Sequence, residues 1–559
     1  MKETKKQNLW FLAGLIVIGL ILFWRCFYSV NRTDEAFYIG TTYRLWSGDG
    51  MLSDEWMPTQ QLCSFWLIPF FGLFRLILGS NEGMILAFRF LYIISQLLVS
   101  TYLFVRLKNY GSGRIFAGFF FLLSTAFNIN SLSYNTMANS CLVALLATLA
   151  VMEKPSWKDC VWCGFFASVL VMSNPYAVFA YVLYGAAAVL VTLINQKKGR
   201  KIPAAIGFET FWKISATAAG IFVIFMIYVL QNSSIEEIVN NLPYIIGDQE
   251  HVQRWGVKFS DYFRYFREQY LGAVLVPFAV SIIALFDKKR VEHGKFYVGV
   301  SVLAVLPYMI YHGLISDYVP VNLVTAPICF LGISVYAVMK KRPSKVFFAW
   351  YLPGMVYPFI VQISSNTGPL AVSAAFMAAG SATVLILISW ANEQECKICK
   401  YGMYGVAVFQ LIMMLLLRIT FVWADEPLSE LTTKVTRGAA KGIYAAAEDV
   451  QLYNEMYDDL DSLQMKKDDD FLVVGAAPLL YLYADREVAS YSTWQVFTNE
   501  TRLYRYFEIH NGEGKFPEVV YCVNADETIF ESILVEKLLI PMGYEWKQLS
   551  QGIAFYAAR

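Results

Sequence analysis

Asp34 and Glu35, in the run Thr33-Asp34-Glu35-Ala36-Phe37-Tyr38, follow directly on the first long apolar stretch of the chain, Leu9 to Val30. Two adjacent carboxylates where a membrane helix meets water suit acid/base work or ligand binding at a membrane surface better than a buried ion path. Neither lies inside a continuous apolar run, so both are expected to stay ionised without the desolvation cost of a charge in hydrocarbon. The rest of the chemical inventory is sparse. His251, His293, His312 and His510 are scattered, and no Cys/His or Ser/His/Asp set can be assembled. Cys396 and Cys399 form a single C-x-x-C, short of the roughly four ligands a zinc site needs. The nine cysteines imply no disulfide framework, and glycine-rich nucleotide signatures are absent.

The elements that must position this pair are membrane helices. Of 559 residues 57% are hydrophobic and 16% charged, and the mean hydropathy is +0.46, outside the range of a soluble globular protein. A formal net charge of +1 gives no bias toward nucleic acid, so no nucleic-acid partner is expected. Apolar runs long enough to span fall at 9–30, 84–105, 115–129, 132–152, 159–173, 175–195, 209–230, 271–286, 296–313, 318–338, 346–363, 368–390 and 401–423. The stretch Leu62 to Leu78 is interrupted by Pro69, Gly72 and Arg75 and is expected to lie along the interface.

Lys and Arg gather in alternate loops, at Lys2, Lys5 and Lys6, at Arg106, Lys108 and Arg114, at Lys197 to Lys201, at Lys288 to Arg290 and at Lys340 to Lys345. By the positive-inside rule the amino terminus is inside and the carboxyl terminus outside the cytoplasmic membrane. Regions 31–83, 231–270 and 424–559 then face out. The second carries Arg254, Arg264 and Arg267 and reads either as an amphipathic interfacial helix or as a cationic cover for an anionic lipid headgroup. In the third, strand-like runs at Phe471 to Gly475 and Pro517 to Tyr521 alternate with helical patterns near 428–464, 500–510 and 526–539. The expected fold is a mainly α, polytopic membrane protein of about 13 transmembrane helices (residues 1–424) with a C-terminal extracytoplasmic α/β domain (residues 425–559).

The T-D-E-A-F-Y run, followed by Arg44-Leu-Trp-Ser-Gly-Asp49 and the Pro58-led segment into Phe70-Phe-Gly-Leu-Phe74, resembles the first outer loop of GT-C membrane glycosyltransferases. The similarity is to the branch of protein O-mannosyltransferases and lipid A aminoarabinose transferases. The stretch from Leu78-Gly-Ser-Asn-Glu-Gly83 to Arg89, and Asp317-Tyr-Val-Pro320 with Pro327, are similar to later motifs of that family. Departures are Phe37 and Met57 where the aminoarabinose branch has an Arg and a Lys, and Tyr134-Asn135 with Asn139 where many members have an Asp.

The resemblance implies transfer of a sugar from a polyprenyl-phosphate carrier to a cell-envelope glycan, lipid or protein at the outer membrane face. The implied chemistry is single-displacement and inverting, with Asp34 as general base and Glu35 orienting the acceptor or its neighbours. Arg44, Arg89 and Tyr318 are the implied ligands of the donor phosphate. Tyr38, Asn135, Arg254, Arg264 and Arg267 are further candidate contacts. No cofactor is required, and a divalent ion at the outer carboxylates is left open. The rival reading is a transporter or flippase of lipid-linked precursors, which would place ionisable or helix-breaking groups at mid-membrane.

Overall fold

The computed structural model describes residues 2–31, 33–199, 201–246, 254–364, 369–497, 501–510 and 516–557. Among these residues, ten helices of 18 to 32 residues are long and apolar enough to cross a membrane. The other three expected spans are the shorter helices Gly113–Leu123, Trp157–Ser173 and Met377–Glu393. Several spans are broken where proline removes a backbone donor or a wide turn interrupts the ladder. Pro320–Val338 is divided into three short helices, and a π turn at Phe347–Tyr351 interrupts the next span.

Region 231–270 is largely helical. It forms Ile235–Ile246 and the first half of Trp255–Phe286, which bends at Tyr270; residues 247–253 lie outside the described ones. The stretch expected along the interface forms Pro58–Ser64 and Ile68–Leu78, with Leu76 and Ile77 turned outward.

Four helices of the membrane part frame the site: α1 (Lys2–Arg25), α2 (Asp34–Ser47), α3 (Met84–Arg106) and α4 (Lys397–Thr420). Beyond α4 the chain builds a small α/β unit. Its strands are β1 (Asp470–Val474), β2 (Glu487–Val488), β3 (Val519–Val523), β4 (Glu545–Leu549) and β5 (Gly552–Tyr556). They are ordered β2-β1-β3-β5-β4, with β2, β1 and β3 parallel and the last two pairings antiparallel.

Alternate residues of β1 and β3 enter two different cores. Leu472, Val474, Val520 and Cys522 pack with helix Thr501–His510, whereas Phe471, Val473, Val519 and Tyr521 pack toward helix Ala447–Ser462. A sheet covered on both faces explains why these strands read as continuous apolar runs. The helix expected from residue 428 begins only at Ala447. Before it, Gly438 and Gly442 adopt positive φ and turn the chain between two two-residue strands.

Helix α2 lies between the bundle and this unit. Gly40 allows close approach of Thr493, and the hydroxyls of Thr41 and Thr493 are 3.2 Å apart. At the end of α2 the Arg44 guanidinium, 1% exposed, bonds Asp49, Glu55 (3.4 Å) and the Tyr506 hydroxyl (3.1 Å). Nearby His510 meets Asp54 at 3.4 Å, and Arg502 donates to the carbonyls of Trp56 and Tyr244. Arg44→Ala strands Asp49 and Glu55 without their cation, a loss of about 3–5 kcal/mol. The expected outcome is a lower unfolding midpoint of the purified protein in detergent, with earlier protease cuts beyond residue 425; an unchanged midpoint refutes the buried network as a joint.

Candidate functional site

The carboxylate pair opens α2, where acidic side chains suit the positive end of the helix dipole. The Asn31 side-chain oxygen accepts from the Thr33 N–H and hydroxyl (both 3.2 Å) and from the Glu35 N–H (3.4 Å), and so sets the first turn. Consecutive helical residues project about 100° apart, and the two carboxylates meet different surroundings. Glu35 is fully buried and bound by Arg89 of α3 through two bonds, Nε to Oε1 at 2.7 Å and Nη2 to Oε2 at 2.5 Å. Arg89 also donates to the carbonyls of Cys26 (2.7 Å), Tyr28 (3.2 Å) and Ser29 (2.8 Å), just past the end of α1.

Asp34 is half-buried, and among the described residues no cation lies within 4 Å of it. Its Oδ2 accepts from the Trp423 indole N–H at 3.3 Å. Burial raises its carboxyl above the usual carboxylate value, and the bonds from Trp423 and Asn31 offset this in part. The expectation of two solvated carboxylates therefore does not hold: α2 folds back against the bundle and takes both, to different degrees, out of water.

A partly open pocket beside Asp34 is lined by Arg25, Tyr28, Ser29, Asn31, Glu35, Arg89, Asn128, Ile129, Asn130 and Trp423. Its wall is strained backbone. Ser29, Phe127 and Asn128 have φ values of 71°, 58° and 59°, unusual for residues with side chains, and such conformations cluster at functional sites. The Phe127 N–H is pinned by Asn322 at 2.6 Å, and its ring packs on Trp423 with centroids 4.8 Å apart. Asn128 donates to the carbonyls of Arg418 (3.1 Å) and Phe421 (2.7 Å) at the end of α4, and its oxygen accepts from Arg418 Nη1 at 3.0 Å. Arg25 donates to the carbonyls of Tyr28 (2.9 Å) and Phe421 (3.1 Å). Three guanidiniums, those of Arg25, Arg89 and Arg418, are thus gathered where α1, α3 and α4 end or begin, close enough for their charges to act on one another.

The sequence candidates separate in space. Asp34, Glu35 and Arg89 come together. Tyr38 packs next to them with Phe37, Ile129 and Trp494, its ring 5.9 Å from that of Tyr134, and burial keeps its hydroxyl protonated; Asn135 follows Tyr134 half-buried. Arg44 lies in the joint with the tail, and Tyr318 is exposed. Arg254 is exposed, Arg264 pairs with Asp261 at 2.8 Å and Arg267 with Glu268 at 3.3 Å; none of these three lines the pocket. Among the described residues no three His, Cys, Asp or Glu side chains converge as a metal cage.

Sequence reasoning passed over Arg25, Arg418, Asn128 and Trp423. A signal for the arginines was present: each sits in the last turn of an apolar span, at the end that the positive-inside rule leaves poor in cations. An ionisable residue so placed is a functional candidate.

The two carboxylates are expected to differ in what they hold together. Glu35→Gln breaks a buried ion pair and leaves Arg89 uncompensated, so the unfolding free energy falls by about 3–5 kcal/mol. Asp34→Asn removes no ion pair and changes it by less than about 1 kcal/mol. Unfolding of both variants in detergent measures this, and equal losses would refute the division.

No family model matches the sequence, and no curated protein matches it. Among solved structures, the chain is similar to ArnT from Cupriavidus metallidurans bound to undecaprenyl phosphate, at 11% identity and a TM-score of 0.51, over 99% of this chain and 98% of that one. It also aligns with the Archaeoglobus fulgidus oligosaccharyltransferase carrying a tethered acceptor peptide, at 11% identity and a TM-score of 0.43, over 98% of this chain and 74% of that one. The chain therefore has, from end to end, the fold of the first of these proteins: a polytopic helical bundle with a C-terminal sheet unit.

Proposed function

We propose that the chain transfers a sugar from a polyprenyl-phosphate carrier to an acceptor hydroxyl by single displacement with inversion, with Asp34 as general base. The observation that carries this reading is the unequal treatment of two adjacent carboxylates. Both oxygens of Glu35 are occupied by the two-bond clamp of Arg89, whereas Asp34 is raised in basicity by burial, has no cation within 4 Å among the described residues, and bonds Trp423, which lines the pocket. A hydroxyl is a weak nucleophile, and a base whose pKa has been moved toward the working pH removes its proton most effectively as the new bond forms. Glu35 acts here as a positioning residue: it fixes Arg89, and with it the start of α2.

Of the phosphate candidates, Arg89 is the one that lines the pocket. Arg44 is assigned to the joint with the tail, and the exposed Tyr318, Arg254, Arg264 and Arg267 to contact with lipid. Tyr38 and Asn135 are assigned to the acceptor side. The carrier class is supported by the undecaprenyl phosphate bound to ArnT, whose fold the chain shares. The pocket is assigned to the outer face of the cytoplasmic membrane, because the basic loops lie at the opposite helix ends.

Asp34→Asn is expected to lower transfer of radiolabelled sugar from purified polyprenyl-phosphate donor by about a hundred- to ten-thousandfold with donor binding retained. Near-normal turnover would sink the base assignment. The rate needs Asp34 deprotonated, so its acid limb should lie above the usual carboxylate range of about 4. Trp423→Phe deletes a bond that favours the ionised form, so it should move that limb to still higher pH; a shift downward contradicts the site. Orientation is tested by impermeant thiol labelling of intact cells: a cysteine in place of the exposed Asp468 should react and one in place of the exposed Lys198 should not.

A further inference from the structure

Cys26, Cys63, Cys160, Cys163, Cys329 and Cys522 are buried, and Cys141 lies within the span Tyr134–Val151. The remaining cysteines, Cys396 and Cys399, stand together and half-exposed where the loop from helix Met377–Glu393 enters α4. The length of α4, 24 residues or about 36 Å at 1.5 Å per residue, separates them from the pocket beside Asp34. Cys396 is the residue from which α4 starts, with extended backbone, and its carbonyl accepts from the Lys400 N–H at 3.0 Å. That bond closes the first turn and sets Cys399 one turn along from Cys396 on the same face. Residues three apart in a helix have Cα atoms about 5 Å apart, inside the range of about 4.4–6.8 Å that a disulfide requires. The pair can therefore be bridged with little movement of the backbone.

The surroundings favour a reactive thiolate over a metal site. Lys397 and Lys400 flank the pair in sequence, and the charge of Lys295, in the first turn of helix Gly294–Ile310, also acts on it. The N–H and thiol of Cys399 favour a charged sulfur at Cys396, and with Lys295 they hold its thiol below the usual value. Helix starts and neighbouring lysines are the settings in which cysteine becomes nucleophilic. Two thiols are half of what a structural zinc ion takes, and among the described residues no three His, Cys, Asp or Glu side chains converge to hold a metal.

We propose that Cys396 and Cys399 form a redox-active dithiol that exchanges with a low-molecular-weight disulfide, Cys396 attacking and Cys399 resolving. The Cys396 thiolate attacks one sulfur of the small disulfide, whose S–S bond breaks and releases a thiolate that takes up a proton. Cys399 then gives its proton to solvent and attacks the Cys396 sulfur of the mixed disulfide, and the second small thiolate leaves. The protein pair is oxidised by two electrons, the small disulfide is reduced to two thiols, and an excess of thiol runs the sequence backwards. With the basic loops assigned to the inside, the pair faces a reducing compartment, where disulfides are transient, and is reduced at rest. None of the residues of the transfer site takes part, so the inference stands apart from that reading.

The test uses full-length protein in nanodiscs, with mass spectrometry of the peptides that carry the pair. Under limiting iodoacetamide at pH 7, Cys396 is expected to alkylate about tenfold faster than Cys399. Oxidised glutathione should convert the pair to an internal disulfide, and dithiothreitol should restore both thiols. Cys399→Ser should stop at a mixed disulfide of glutathione on Cys396, whereas Cys396→Ser should form one on Cys399 about tenfold more slowly. The alkylation and oxidation of wild type carry the test if either variant fails to fold. Equal alkylation of the two thiols, no internal disulfide in wild type, or equal rates of mixed-disulfide formation in the two variants overturns the proposal. Zinc that binds at one equivalent per chain and protects both thiols from alkylation assigns the pair to a metal and overturns it as well.

Discussion

The Glu35–Arg89 pair is the interaction on which the geometry of the site depends. Its worth is not chiefly stability, since an ion pair taken out of water often does no better than an apolar pair of the same shape. Its consequence is placement. One guanidinium bonds three carbonyls just past the end of α1 and holds both oxygens of the second residue of α2. The exit of the first span, the start of α2 and the wall of α3 are thereby fixed relative to one another. Asp34, next to the clamped residue, is turned toward Trp423, which lines the pocket.

The other end of α2 is fixed by a second buried arginine, and its partners come from elsewhere. Helix α2 has 14 residues and is about 20 Å long at 1.5 Å per residue. Arg89 anchors its first turn to the bundle, while Arg44 anchors its last turn to Asp49, Glu55 and, through Tyr506, to the sheet unit. Between the two anchors Thr493 and Trp494 of the tail lie against Gly40 and Phe37. The tail is therefore part of what sets the direction of the carboxylate pair, and a displacement of the tail is expected to be felt at Asp34 through a rigid helix.

The carboxylate pair was legible in the sequence because its information is local: two acids at the foot of an apolar span. The thirteen helical segments were legible because hydropathy over some twenty residues is local too, although the breaks at Tyr270 and Phe347 depend on packing that the apolar pattern does not encode. What each arginine does was not legible. Arg44 and Arg89 follow the motif in order along the chain, so both were read as phosphate ligands, yet their partners are fixed only by the fold. Arg25 and Arg418 lie near opposite ends of the membrane part and become neighbours only when α1 and α4 pack side by side. In the tail, propensity carried a helix through residues 428–446, and the conformations of Gly438 and Gly442 overrode it.

The separation of charge across the pocket follows from these placements and bears on the chemistry. A carboxylate set directly against three guanidiniums would be held strongly ionised, and a strongly stabilised carboxylate is a poor base. Here Glu35 meets Arg89, and Asp34 stands one position along the helix on the side of Trp423, Phe127 and Phe37, where burial is the largest influence on it. The cationic side suits a leaving group that gains negative charge, and the aromatic side suits an acceptor that loses a proton. In the proposed transfer, the developing charges of a single displacement would fall on the sides suited to each.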